Sequence, residues 1–162
     1  MMKQQKHNEM GFTLIELIIT LTIAAILATV AVPSFSTFLK NNRITSQANE
    51  FIIAMNYARS EAIKRGAALS VVAAGGGIGN EWGNGWNVVL VSDASIQKQF
   101  SALAGSSTLG STGGISTFTY ASTGRVNVAD TLSLCDDRTA ETGRTITVST
   151  TGRVSTTNLV CP

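Results

Sequence analysis

The sequence predicts an α+β protein in which one long N-terminal helix, of membrane-spanning character in its first half and amphipathic in its second, packs on an antiparallel β-sheet head. Three observations predict it. An almost unbroken apolar run extends from Phe12 to Val32. A hydrophobic stripe at alternating spacings of four and three then continues to Ala62. Beyond Gly66 the chain changes to short β-type runs punctuated by glycine, serine and threonine.

The apolar run comprises 21 residues, about 31 Å of α-helix at ~1.5 Å per residue, enough to cross a hydrocarbon core of ~30 Å. Glu16 is its only charge. An unpaired carboxylate in hydrocarbon costs about 2.5 to 3.5 kcal/mol at a helix centre and less near the end, where this one lies. Glu16 therefore requires a partner or a proton. Before the run stands a short polar, basic leader, Met1 to Met10, with Lys3, Lys6 and His7. A secretory signal would set its charges directly against a shorter apolar stretch ending in a small-residue site. Here Gly11-Phe12-Thr13-Leu14-Ile15-Glu16 comes first, so a cut after Gly11 keeps the hydrophobic helix. The new α-amino group on Phe12 would lie one turn from Glu16. In a stack of helices the amine of one subunit could also meet the carboxylate of another.

These residues closely resemble the type IV pilin signal. The resemblance implies that a prepilin peptidase cuts between Gly11 and Phe12, that Phe12 is N-methylated, and that Glu16 is the carboxylate used in assembly. Pro33 falls where type IV pilins commonly carry a helix-kinking proline. The implied organisation is a prepilin leader peptide (1–11), a transmembrane and filament-core helix (12–33), an amphipathic helix (34–66) and a globular β-rich head (67–162). The pilin fold is implied with it. So is a location: the bacterial inner membrane, single-pass with the head in the periplasm, then the pilus filament or its tip.

Past Pro33, Ile44, Ala48, Phe51, Met55, Ala58 and Ala62 fall on one stripe, with Asn49, Glu50, Asn56, Ser60 and Lys64 on the other side. One helix is expected from Phe12 to Arg65, bent or loosened at Pro33 where an intrahelical hydrogen bond is lost. Gly66 suits the left-handed C-terminal position, and Lys64 and Arg65 face the negative end of the helix dipole. Expected strands are 69–73, 87–92, 98–103, 116–120, 132–135 and 145–149. The glycine-rich stretches 75–85 and 105–114 are expected to be mobile loops. One antiparallel sheet, or a pair of sheets, on the apolar stripe of the helix buries both faces.

The formal charge is +2, and the leader, with Lys3, Lys6 and Glu9, accounts for a net +1 of it. That near-neutral balance argues against indiscriminate nucleic-acid binding. Cys135 and Cys161 stand 26 positions apart. A bridge between them, available in an oxidising periplasm, would stabilise the fold by about 3.5 kcal/mol through loop-closure entropy. Two buried free thiols are the alternative. A zinc site is poorly supported, because the only histidine, His7, lies in the leader. Nothing points to an enzyme or a cofactor: the chain beyond the leader has no histidine, no paired thiol and base, and no phosphate loop opening a helix. Asp136-Asp137 reads as a solvated loop, with weak cation binding as the alternative.

Three further strings resemble the GspH/FimT family of minor pilins and pseudopilins. They are Tyr57-Ala58-Arg59-Ser60-Glu61-Ala62-Ile63-Lys64-Arg65-Gly66, Trp82-Gly83-Asn84-Gly85-Trp86-Asn87-Val88-Val89-Leu90, and Gly143-Arg144-Thr145-Ile146-Thr147-Val148 followed by Thr151-Gly152-Arg153-Val154. Trp82 and Trp86 read as core anchors around a glycine-rich turn. The resemblance implies a FimT/FimU-like minor type IV pilin, a structural subunit that primes or caps pilus assembly and supports twitching, adhesion or DNA uptake. Its implied partners are the prepilin peptidase and the major and minor pilins. The alternative is the minor pseudopilin of type II secretion; Pro33 and a cysteine pair enclosing a C-terminal loop, as in many pilins, favour the pilus.

A further alternative is a DNA-binding pilin for natural transformation, for which the candidate contacts are Arg125, Arg144 and Arg153. Some FimT-like pilins take up DNA through a C-terminal Gly-Arg-x-Arg motif; here Gly152-Arg153-Val154-Ser155 has serine in place of the second arginine. From Ala67 onward five basic residues face six acidic ones, so duplex binding would need the arginines gathered on one face. Arg125 and Arg153 occur in near-identical strings, 122–126 and 150–154, which read as two similar hairpin turns with solvated arginines. Weak, salt-sensitive DNA binding at most is expected.

Overall fold

The computed structural model describes residues 12–162; Gly11 and the rest of the leader lie outside the described residues. The chain divides into two compact units, the first ending at Leu39 and the second spanning Lys40–Pro162.

A single helix, α1 (Leu14–Arg65), runs across that division with Pro33 inside it. In the first unit every residue from Phe12 to Leu39 is exposed, and the stretch is long and apolar enough to cross a membrane. In the second unit the helix behaves differently. Ile44, Ala48, Phe51, Met55, Ala58 and Ala62 are all buried, joined by Gln47 and Ala54, while Asn49, Glu50, Asn56, Ser60 and Lys64 are exposed. The helix ends where its carbonyls find partners beyond it. Ala67 N donates to Ala62 O and Gly66 N to Ile63 O, with Gly66 at φ +64°. That left-handed step costs a residue lacking Cβ nothing.

The rest of the second unit is two four-stranded antiparallel sheets. Its strands are β1 (Leu69–Ala73), β2 (Trp86–Leu90), β3 (Ile96–Phe100), β4 (Thr108–Ser111), β5 (Thr117–Tyr120), β6 (Asp130–Cys135), β7 (Thr142–Val148) and β8 (Val154–Val160). One sheet has the order β3-β2-β1-β5 and the other β4-β6-β7-β8. The fold class is α+β, a pilin fold.

The buried stripe of α1 and residues of both sheets share one core. Phe51 is its centre: the Trp82 and Trp86 rings meet it edge-on at 5.1 and 5.2 Å, and Trp82 stacks on Phe118 at 5.5 Å. Edge-to-face contact suits the aromatic quadrupoles, and Trp82 Nε1 donates to Ile115 O at 2.8 Å. The glycine-rich stretch 75–85 is thus held down at Trp82, which is fully buried, contrary to the expectation of a freely mobile loop.

Two strands were not anticipated. β4 lies inside the expected mobile stretch 105–114, and β8 occupies the last residues of the head. The third strand begins two residues earlier than expected and ends three earlier, and the sixth and seventh extend further toward their N-termini. Side-chain alternation signals a strand only where one face is buried, and β8 buries neither face well.

Candidate functional site

At the N-terminal end, Thr13 and Glu16 bind each other reciprocally. Glu16 N donates to Thr13 Oγ1 at 3.3 Å, while Thr13 N and Thr13 Oγ1 donate to Glu16 Oε2, each at 2.8 Å. This is a capping box, Thr-x-x-Glu, which satisfies helix N–H groups that have no partner within the helix. Glu16 thus has a hydrogen-bonding partner within its own chain, and its carboxylate sits at the positive end of the helix dipole. Phe12 is 92% exposed, so the ring beside the expected cleavage point makes no packing contact of its own.

At the other end of sequence space, Cys135 and Cys161 form a disulfide with their Cα atoms 5.8 Å apart. Beside it the C-terminal loop is tied to α1 by charge. The Asp136 side chain, only 2% exposed, accepts from Arg138 at 2.9 Å and lies 3.9 Å from Arg43. Burial works against its charged form. Hydrogen bonds from the Arg138 side chain and backbone, with the charges of Arg138 and Arg43, outweigh that and hold its carboxyl below the usual range. Arg138 Nη2 reaches on to Asn41 Oδ1 at 2.8 Å. Asp136 is therefore a structural anchor, not part of a solvated loop.

The candidate DNA contacts separate into two places. Arg125 and Arg153 occupy matching turns: Gly124 N donates to Ala121 O and Ala121 N to Arg125 O, as Gly152 N does to Ser149 O and Ser149 N to Arg153 O. Gly124 and Gly152 have φ of +77° and +78°, the glycine position of a three-residue hairpin loop. The turns lie against each other, with Val126 N donating to Thr150 O. Arg59 of α1 joins them through Nη2 to Thr151 O at 3.2 Å. Tyr120 OH donates to Gly152 O at 3.2 Å, and burial of that phenol pushes its pKa up to about 12. Arg125 and Arg153 are themselves exposed.

Arg144 is elsewhere. It stands five residues before Ser149, about 17 Å along β7 at ~3.3 Å per residue. There it donates to Asn158 Oδ1 and, through Nη2, to Thr45 Oγ1 at 3.1 Å. Its bonds clamp β8 and α1 together. Among the described residues no three potential metal ligands converge.

Sequence comparison places this architecture. Residues 47–152 match the family described as Type II transport protein GspH. The chain belongs to the GspH family. Residues 7–32 of this GspH-family chain match the prokaryotic N-terminal methylation motif. Similar solved structures include the type IV minor pilin FimU of Pseudomonas aeruginosa strain PAO1, 23% identical with a TM-score of 0.64, covering 77% of this chain and 92% of that one. The minor pseudopilin EpsH from the Type 2 Secretion System of Vibrio cholerae is 17% identical with a TM-score of 0.55, covering 71% of this chain and 96% of that one. At these identities the likeness establishes the fold. No curated protein matches the chain.

Two features of this GspH-family chain escaped the reading of its sequence. The capping box was legible, since Thr13 and Glu16 stand three apart before an apolar run. Arg59 as the clasp of the paired turns was not, because nothing local links residue 59 to residue 151.

Proposed function

We propose that this chain is a minor type IV pilin, a structural subunit that primes or caps a filament and in that way supports twitching, adhesion or DNA uptake. One observation carries the reading: all of Phe12–Leu39 is exposed in the isolated chain, although the stretch is strongly apolar. An exposed face of that size marks lipid or other subunits as its surroundings. A bilayer accommodates it before assembly, and the helices of sister subunits replace the lipid afterward. Cleavage between Gly11 and Phe12 frees the amine that Glu16 meets in the stack, Phe12 is N-methylated, and Pro33 is the point at which the helix bends. The disulfide fits a head on the periplasmic side.

The secretion pseudopilin is the alternative, and Pro33 with the Cys135–Cys161 loop favours the pilus over it. Deleting the gene and scoring piliation with twitching, transformation and protein secretion separately tests the assignment. Loss of secretion alone assigns the chain to the pseudopilus. Mass spectrometry of the mature chain tests the processing, the expected N-terminus being methylated Phe12.

The DNA reading is supported by one arrangement, the adjacency of the Arg125 and Arg153 turns. Two exposed arginines on a net acidic head neutralise few phosphates, so the affinity is weak and falls with salt only in proportion to those few contacts.

A further inference from the structure

The head has four sheet edges; two are closed and a third is blunted. Against β4 lies the segment 79–82: Leu109 N donates to Asn80 Oδ1, Ser111 N to Glu81 Oε2 and Trp82 N to Leu109 O. β5 is covered by the chain leading from the first turn, where Asn127 N donates to Thr119 O and Thr119 N to Asn127 Oδ1. β3 is blunted by Lys98 at its centre and by a register shift between Val88 and Val89 of its partner. These are the usual protections of an edge.

Among the described residues β8 has none of them. It pairs seven residues with β7 without a bulge, contains neither proline nor charge, and is exposed throughout Ser155–Asn158 and at Val160. The hydrogen bonds flanking it, Ser149 N to Arg153 O and Cys161 N to Glu141 O, direct the odd-numbered main-chain groups toward β7. The alternation of an antiparallel pair then points N–H and C=O of Val154, Thr156, Asn158 and Val160 outward.

We propose that the outer edge of β8 receives an extended, uncharged edge strand from the head of a different pilin-type subunit, which adds to the sheet by main-chain hydrogen bonds. The proposal rests on the filament-subunit reading above. A seven-residue edge is about 24 Å long and covers far less than the ~800 Å² per partner of a stable interface. The occupant must therefore be held nearby by another contact, which the bundled apolar helices supply as a raised effective concentration. A second copy of this chain does not fit. Pairing β8 with β8 about a two-fold axis normal to the sheet reverses α1 of one copy against the other, whereas helices gathered through one membrane share a polarity. Pairing β8 with β4 or β5 of an identical chain meets an edge already closed, and pairing it with β3 meets an edge with a register shift that carries Lys98.

The test uses the full chain in cells making their own filaments. Thr156→Pro removes an outward N–H and leaves the β7 ladder intact; Thr157→Lys places a charge on the edge and leaves the backbone unchanged. A photoreactive residue at Val160 reports what lies alongside. The readout is recovery, from detergent extracts, of other chains carrying the N-terminal methylation motif, identified by mass spectrometry. The expected result is a cross-link from position 160 to the head of such a chain, with recovery reduced at least tenfold by each variant at an unchanged melting temperature. If Thr156→Pro melts lower, Thr157→Lys alone decides. Undiminished recovery overturns the proposal, as does a cross-link between two copies of this chain. If the unmodified chain recovers no pilin-type subunit, the filament reading fails along with it.

Discussion

The carbonyl oxygen of Gly124 lies 2.2 Å from where a Cβ on Gly152 would be built. The two turns that carry Arg125 and Arg153 are thus packed backbone against backbone, and the identity of residue 152 is set by both its own positive φ and its neighbour's carbonyl. Gly152→Ala meets strain and a clash together. It should destabilise the Lys40–Pro162 unit, which contains the entire buried core, by about 2 to 4 kcal/mol. Urea denaturation measures it, and a change below about 0.5 kcal/mol would show that the turns move apart freely.

The same packing makes a prediction for nucleic acid. Arg125→Ala with Arg153→Ala should abolish whatever weak DNA binding the head shows, while Arg144→Ala should leave it intact and lower stability instead, since Arg144 is spent on Asn158 and Thr45. Gel shifts over a salt series read the first effect and thermal melting the second. Submicromolar affinity of the unmodified head at physiological salt would contradict the structural reading of these arginines.

Reduction of the Cys135–Cys161 bridge, or Cys135→Ser with Cys161→Ser, should cost about 3.5 kcal/mol from loop-closure entropy. The loss should concentrate in β7 and β8, which lie inside the 26-residue loop. Hydrogen exchange with and without reductant locates it; uniform protection across both sheets would refute that placement.

Asp136 predicts an acid limb. Its carboxyl titrates lower in the folded chain than its ordinary value of 3.8, so its contribution is complete above that value and is lost as pH falls below it. Asp136→Asn should cost about 2 kcal/mol at neutral pH. The gap between variant and parent should narrow below about pH 4. Denaturant titrations at several pH values test this, and a gap independent of pH would assign the effect to packing.

The helix cap that Glu16 forms is separable from the role in assembly proposed for it. Glu16→Ala should leave membrane insertion and cleavage intact while reducing incorporation into filaments at least tenfold. Thr13→Ala breaks the same capping box but keeps the carboxylate, and should incorporate nearly normally. Equal defects in the two variants, measured by immunoblotting of sheared filaments, would reduce Glu16 to a cap.

Much of this protein is written in local pattern. A 52-residue helix follows from an apolar run joined to a four-three stripe, because a helix of that kind buries or exposes residues by position alone. Its end at Arg65 follows from a glycine able to turn left-handed. Trp82 and Trp86 declare the core through their bulk. Six of the eight strands announce themselves by β-branched and aromatic residues, with ends displaced by a few positions. β4 and β8 do not: the first has one buried side chain, Leu109, among four residues, and the second buries none fully. Their existence is a consequence of pairing with β6 and β7; the only local hint is the hairpin-type string 150–154, which leads into β8. The abutting turns, the clasp of Arg59, the removal of Arg144 to a distant clamp and the single unprotected edge were decided only when chain segments up to 99 positions apart came together, since hydrogen bonds between such segments depend on how sheets and helix pack and not on the residues beside them.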